Sequence, residues 1–349
     1  MIYKKVLSLL LSLCLLIPFI SSCKDKEVRV QSRSYYEYFD TVSTILSYKG
    51  DTEDEFYNNC EMISDYLGEY HRLFDIYYEY SGINNLKTVN KNAGKAPVKV
   101  DDRLIDFLLY CKDVYTLTGG KTNIAMGSVL KLWHDCREAA ESDPENARIP
   151  TAAELAEASA HCDINNLIID TKERTVYISD PKMQLDVGAI GKGYATERTA
   201  ELLMDRGVSA YVLNIGGNIR AIGEKADGNG WDTGITHPNK SSDERFIARV
   251  VIKNTSLVTS GDYERYYTVG GVKYHHIIDP DTLMPSKYFT SVSVFTTDGG
   301  LADALSTALF CMSYEDGLAL VNSIGGVEVI WVNLEYNVKM TPGVNTVSD

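Results

Sequence analysis

Two side chains in "LADALSTALF" (Leu301 to Phe310) raise the first chemical question. Asp303 and Thr307 stand four residues apart on an apolar, helix-forming run, so they share one face. A carboxylate and a hydroxyl are hard oxygen donors, a pair suited to Mg²⁺ whose other positions go to water or phosphate oxygens. A helical Thr also has a plain structural use, bonding back to the preceding turn. A second stretch, "DVGAIGKGYATE" from Asp186, puts Gly188, Gly191, Lys192 and Gly193 at the start of an amphipathic helix. Glycine lets backbone approach a ligand closely, and a helix N-terminus favours an anion such as phosphate. The spacing fits neither GxxxxGK[ST] nor GxGxxG. It is a glycine-rich helix start of another kind, and a tight strand-to-helix turn without a ligand has the same look.

Two more stretches carry polar chemistry. "NIGGN" (Asn214 to Asn218) ends an apolar strand at Gly216 and Gly217; exposed backbone N–H groups there would suit an anion, and a β-bulge is the simpler alternative. "TSGDYERYY" brings Asp262, Glu264 and Arg265 together, and "HHIIDP" follows. His275 and His276 on one strand face opposite sides, so at most one enters a site, and a lone strand His is often structural. There is no HExxH, no GxSxG elbow and no nucleophile-type Cys motif.

The chain around these residues has 349 positions, 44% of them hydrophobic, and a formal net charge of −14. It has no long basic run, which argues against a nucleic-acid surface. Residues 1–22 read as a leader: Lys4 and Lys5, an apolar run from Val6 to Ile20, then Ser21-Ser22-Cys23. The run is short for a membrane span. A small pair before cysteine resembles a bacterial lipoprotein cleavage box, so Cys23 is expected to become a lipidated N-terminus. Residues 23–36 read as a polar tether and 37–349 as the functional domain. The leader holds two Lys and no acid, leaving the exported part at net −16. Cys60, Cys111, Cys136, Cys162 and Cys311 are scattered, with no CxxC pair, so neither a disulfide framework nor a zinc ribbon is expected.

Apolar periodicity predicts helices over Glu53–Phe74, Asp101–Leu117, the stretch from the glycine motif to Arg206, Leu301–Met312 and Asp316–Ile324. Thr151 and Glu154 have capping-box spacing. Tyr80–Pro97 reads as a long polar loop and His134–Arg148 as an exposed acidic excursion. Strands are expected at Phe39–Tyr48, "LIID" with "TVYIS", "AYVLNIGG" with "NIRAIG", a strand pair within Phe246–Gly261, a hairpin about Gly270-Gly271, "TSVSVFTT", and "VEVIWV" with "VKMTP". The fold class read from this is α/β (α+β), one compact unit of two interlocked subdomains.

Taken in order, "FDTVSTI", "GGKTNIAMGSVLKLW", "LDVGAIGKGYATE", "NIGGNI", "TSGDYERYY…HHIIDP" and "ADALSTALF" resemble the ApbE-type FAD:protein FMN transferase family over residues 37 to 345. The resemblance implies a tandem T-fold-like domain that binds FAD with Mg²⁺, cleaves its pyrophosphate, and moves FMN onto a threonine or serine hydroxyl as AMP leaves. It implies an acceptor with an S/T-G-A-T-like sequence, often a membrane redox subunit, and an exported, lipid-anchored location. On this chain it implies Ala189 (through its carbonyl), Asp303 and Thr307 around Mg²⁺. Lys192, Asn123, His276, Arg265 and the backbone at Gly188, Gly191 and Gly217 are expected against the nucleotide. Asn123 stands where many members carry Asp. The loop about Ser81 to Asn85 is expected beside FAD. A base for the hydroxyl is expected from Asp262 or His276. An FAD pyrophosphatase needs the same metal site; a non-catalytic flavin carrier would not need Asp303 and Thr307, and a solute receptor would bind no flavin.

Overall fold

Period-two alternation of apolar residues builds the centre of the molecule, and helices with capped starts pack against it. The computed structural model describes residues 30–347. The leader, Cys23 and most of the tether lie outside the described residues. In chain order come β1 (Gln31–Tyr35), β2 (Ser43–Ser47), α1 (Glu53–Phe74), α2 (Leu86–Lys91), β3 (Val98–Lys99), α3 (Asp102–Leu117), α4 (Gly127–Ser142) and α5 (Ala152–Ser159). Then come β4 (Leu167–Asp170), β5 (Thr175–Ile178), α6 (Gly191–Asp205), β6 (Tyr211–Ile215), β7 (Asn218–Ile222), β8 (Trp231–Thr236) and β9 (Phe246–Ile252). The last are β10 (Ser256–Gly261), β11 (Tyr266–Val269), β12 (Val272–His275), β13 (Ser291–Thr296), α7 (Gly299–Phe310), α8 (Tyr314–Ile324), β14 (Glu328–Val332) and β15 (Val338–Met340).

Eight strands form one sheet in the order β1-β2-β6-β7-β10-β13-β14-β15, antiparallel at every pairing. Alternate residues feed two cores. Leu213, Ile215, Val258, Val292, Val294, Val329 and Trp331 meet the helices. Val212, Ala221, Leu257, Phe295, Ile330 and Val332 meet the β8–β9 hairpin through Trp231, Ile235, Val250 and Ile252. With apolar layers on both faces, β13 is buried along its whole length. Three short strands, β3-β5-β4, and the β11–β12 hairpin stand apart from this sheet. The α/β class holds, with antiparallel rather than parallel pairing. No helix among the described residues is long and apolar enough to cross a membrane.

Local chemistry explains the helix starts. Thr52 with Glu55, and Thr151 with Glu154, form capping boxes. Asp101 caps α3, and Asp298 caps α7 through the N–H groups of Gly300 and Leu301. α6 has no side-chain cap. The five cysteines of the described part are all free, four of them buried.

Four expectations are corrected. The tether ends earlier than read, because Gln31–Tyr35 pairs with β2 as an edge strand. The Tyr80–Pro97 loop contains α2, whose N-cap Asn85 accepts the Thr88 N–H and donates to the carbonyls of Arg72 and Tyr78. Most of the supposed acidic excursion is the second half of α4, whose Trp133, Cys136 and Ala140 are buried under charged neighbours. Finally, the two strands of Phe246–Gly261 do not pair with each other: β9 joins β8, whereas β10 joins β7 and β13.

Candidate active site

The sheet, α4, α6, α7 and the β11–β12 hairpin enclose a cleft of about 1530 Å³. Gly188, Ala189, Gly191, Lys192, Gly217, Asn123, Arg265, His276, Asp303 and Thr307 all line it. Residues as far apart in sequence as Asn123 and Thr307 are therefore brought to one cavity. Asp262 is not among the lining residues. Its carboxylate is 3.1 Å from the Lys273 ammonium. Ser81 to Asn85 do not line the cleft either; Asp75, Ile76, Tyr77, Tyr78 and Tyr80 do.

The oxygen-rich end is built where α6 meets α7. Asp303 is buried and its Oδ2 accepts the Gly193 N–H at 2.8 Å. Burial pushes its carboxyl above the ordinary range, against the pull of Lys192 and of that N–H. Thr307 lies one turn on, its Oγ1 3.5 Å from Ser260 Oγ. Ala189 occupies the turn just before α6, and the Lys192 ammonium is 3.4 Å from the Gly188 carbonyl. No side chain caps α6, so its positive end faces this corner with Lys192. Among the described residues no group of three or more His, Cys, Asp or Glu could hold a metal. Asp303 and Thr307 instead offer hard oxygens of the kind Mg²⁺ takes when phosphate and water complete the sphere, and Ala189 lines the same cleft. Asp303 has one N–H and no cationic side chain bonded to it, which leaves Oδ1 for such an ion.

The glycines divide their work. A Cβ on Gly193 would collide with the Gly299 carbonyl oxygen and Asp303 Cβ, so this glycine permits helix contact rather than ligand contact. Gly217 has φ +88°, open space around it, and an N–H bonded to Asn214 Oδ1 at 3.0 Å.

The two histidines separate cleanly. A carbonyl can only accept, so His275 Nε2 donates to Ser286 O at 2.8 Å while its Nδ1 accepts the Ile277 N–H. Both nitrogens are used, and His275 is structural. His276 Nδ1 donates to Arg265 O at 3.2 Å, which fixes the neutral tautomer and leaves the Nε2 lone pair free. Its side chain is solvent-exposed at the cleft, and partial desolvation there and the nearby Arg265 guanidinium hold this imidazole below its ordinary pKa.

Asn123 lines the cleft, yet both ends of its amide are engaged. Nδ2 donates to Cys162 O at 3.0 Å and Oδ1 accepts the Ala125 N–H at 2.9 Å. Aromatic residues wall the rest. Asp75 Oδ1 accepts the N–H groups of Tyr77 and Tyr78, and Tyr80 OH donates to its Oδ2 at 2.7 Å. Tyr77 stands 6.0 Å from the His134 ring. The buried Asn218 Oδ1 and the Tyr267 hydroxyl, both at the cleft, have no protein partner. Sequence reading missed this wall: "FDIYYEY" has no motif spacing, although an Asp at a helix end followed by two aromatics is an Asx-turn signal. It also missed His134 and Arg137, because their helix was read as an excursion.

The architecture and the oxygen corner define a class. A sequence model described as the ApbE family matches residues 39–331, and the chain belongs to that family. It is 33% identical over 273 residues to the FAD:protein FMN transferase of Treponema pallidum, covering 74% of this chain and 73% of that protein. The same activity is named for a Klebsiella pneumoniae relative, 30% identical over 70% of this chain and 73% of that one. Among solved structures, the ApbE protein of Thermotoga maritima superposes with a TM-score of 0.77 at 27% identity, over 90% of this chain and 97% of that chain. A mutant form of the flavin transferase ApbE from Vibrio cholerae gives 0.73 at 25% identity, over 91% and 97%.

Proposed function

We propose that this chain is an FAD:protein FMN transferase that needs Mg²⁺, modifies a threonine or serine hydroxyl and releases AMP. The observation that carries the reading is the meeting of Asp303, Thr307, Ala189 and Lys192 in one cleft that also holds the free Nε2 of His276. Bound Mg²⁺ would neutralise the charge that grows on the pyrophosphate as its P–O bond breaks. Asp303, Thr307 and the Ala189 carbonyl would hold it there. Lys192 and the uncapped start of α6 orient the phosphates. The acceptor Oγ attacks the FMN phosphorus, the bridging oxygen leaves with AMP, and the hydroxyl proton passes to His276 Nε2. Asp262, tied to Lys273 outside the lining, is left out of the chemistry. The aromatic wall about Tyr77 and His134 offers flat faces for the flavin.

The leader and Cys23 support export and lipid anchoring, and the S/T-G-A-T-like acceptor remains part of the proposal. Mass spectrometry of such a peptide incubated with the exported domain, FAD and Mg²⁺ tests the activity. One FMN gained on the threonine, absent with Asp303→Ala, is the expected result. FMN and AMP released beside an unmodified acceptor would replace transfer by hydrolysis, and an intact FAD pool would remove the reading. Loss of lipid from a Cys23→Ser protein tests the anchor.

A further inference from the structure

α6 and α7 hold each other through reciprocal bonds. The Gly193 N–H on α6 donates to Asp303 Oδ2 of α7, and the Gly299 N–H on α7 donates to Glu197 Oε2 of α6, each at 2.8 Å. In both helices a carboxylate one turn along satisfies the open N-terminal N–H of the other. Glu197 is buried, 3% exposed. Its oxygens also accept from Arg220 Nε at 2.9 and 3.1 Å and from Ser256 Oγ at 3.1 Å. One carboxylate thus ties α6, α7, β7 and β10. These elements carry Lys192, Asp303 and Thr307, the strand beyond the Gly217 turn, and Ser260. Glu197, Arg220 and Ser256 do not line the cleft.

We infer that Glu197 is a positioning residue: by accepting the Gly299 N–H it fixes α7 against α6, and so sets the spacing of Asp303 and Thr307 from Ala189 and Lys192 that Mg²⁺ and pyrophosphate require. The inference rests on the proposed Mg²⁺-dependent reading of the same corner. Groups that orient metal-holding side chains typically change metal affinity or activity by about 10- to 100-fold when replaced. Removing Glu197 alone would strand a buried Arg220 charge, so the test removes the pair together.

Two double variants differ in one atom's role. In Glu197→Gln/Arg220→Met the amide oxygen can still accept from Gly299; in Glu197→Ala/Arg220→Met nothing can. Binding of FAD is followed by flavin fluorescence against Mg²⁺ concentration with no acceptor, beside the melting temperature, kcat and KM for FAD. We expect the folded Ala variant to need about tenfold more Mg²⁺ or higher, with lower kcat and little change in KM for FAD at saturating Mg²⁺. The Gln variant should stay close to wild type. A folded Ala variant with the wild-type Mg²⁺ response overturns the inference, as do equal losses in both variants at equal melting temperature. If the Ala variant does not fold, Glu197→Asp takes its place: it keeps a charge for Arg220 but shortens the reach to Gly299, and a wild-type Mg²⁺ response in it is again fatal. A wild-type protein whose FAD binding ignores Mg²⁺ would overturn this inference and the reading beneath it together.

Discussion

The Asp262 carboxylate lies 3.1 Å from the Lys273 ammonium and is not among the groups that line the cleft, whereas His276 is. Of two residues that sequence offers as bases, geometry keeps one. Replacing His276 by Ala should lower kcat for transfer at least a hundredfold, the usual range for a lost proton acceptor. Asp262→Asn should leave kcat near wild type. Single-turnover assays with one acceptor peptide check both, and a reversed order would return Asp262 to the chemistry.

His276 also sets a pH dependence. Its folded-state pKa is lowered, chiefly by partial desolvation and then by Arg265, and because the side chain is exposed the effect on stability is small. It therefore stays neutral at pH values where a free imidazole, near pH 6.5, takes a proton. The folded state binds that proton less well than the unfolded one, so stability is present above about pH 6.5 and declines as pH falls through it. The rate should show no histidine limb between about pH 6 and 8. His276→Gln should shrink the loss of melting temperature between those values, which thermal scans in matched buffers measure.

Asp303 has the opposite sign. Burial raises its folded-state pKa, so the fold favours the protonated form and loses stability as pH rises through that raised value. Without metal, Asp303→Asn should melt higher than wild type, by a margin that grows as pH rises above the ordinary carboxylate range and levels off once the folded carboxyl has ionised. Added Mg²⁺ with ADP should raise the melting temperature of wild type only.

Glycine replacements should sort by packing rather than by motif. Gly193→Ala drives a methyl into the Gly299 carbonyl and Asp303, so the helices must part. We expect a loss of about 1–3 kcal/mol or more, with transfer abolished. Gly217→Ala has space but a positive φ, and should cost about 1–2 kcal/mol while keeping measurable transfer. Urea unfolding of the two proteins gives the comparison.

Asn123→Asp, the change towards the common family residue, should weaken this chain. The new carboxylate would face the Cys162 carbonyl with no hydrogen to donate. A loss of about 1–3 kcal/mol follows from an acceptor left against an acceptor. Greater stability in the variant would mean that the loop between α3 and α4 rearranges around residue 123.

Sequence made the oxygen corner legible because its residues lie in short runs with their own signals: Asp303 and Thr307 by i,i+4 spacing, Lys192 by glycines before a helix. The alternating run that became β2 was equally readable. What stayed hidden depends on long-range partners. Gly193 looks like a ligand glycine until Gly299, 106 positions later, is packed on it. Glu197 reads as one polar residue of an amphipathic helix, and only the placement of Arg220 shows it to be buried. His134 and Arg137 are polar, so their segment read as solvent-facing although one side of α4 turns to the cleft. Strand partners were the other gap: β9 and β10 are neighbours in sequence but belong to different sheets, which local pattern does not encode.

The order in which the chain is made has a consequence for the site. β2 pairs with β6, and the Gly193 N–H finds its acceptor 110 residues downstream. A growing chain that has reached β9 holds the glycine turn, Lys192 and Glu197, but neither Asp303 nor the histidine. Contacts of such span form late and slowly. Until residues 299–303 arrive, the Gly193 N–H lacks its acceptor and Glu197 lacks the Gly299 N–H. The proposed metal corner therefore exists only once α7 has been made, and a chain cut short before it lacks both Asp303 and Thr307.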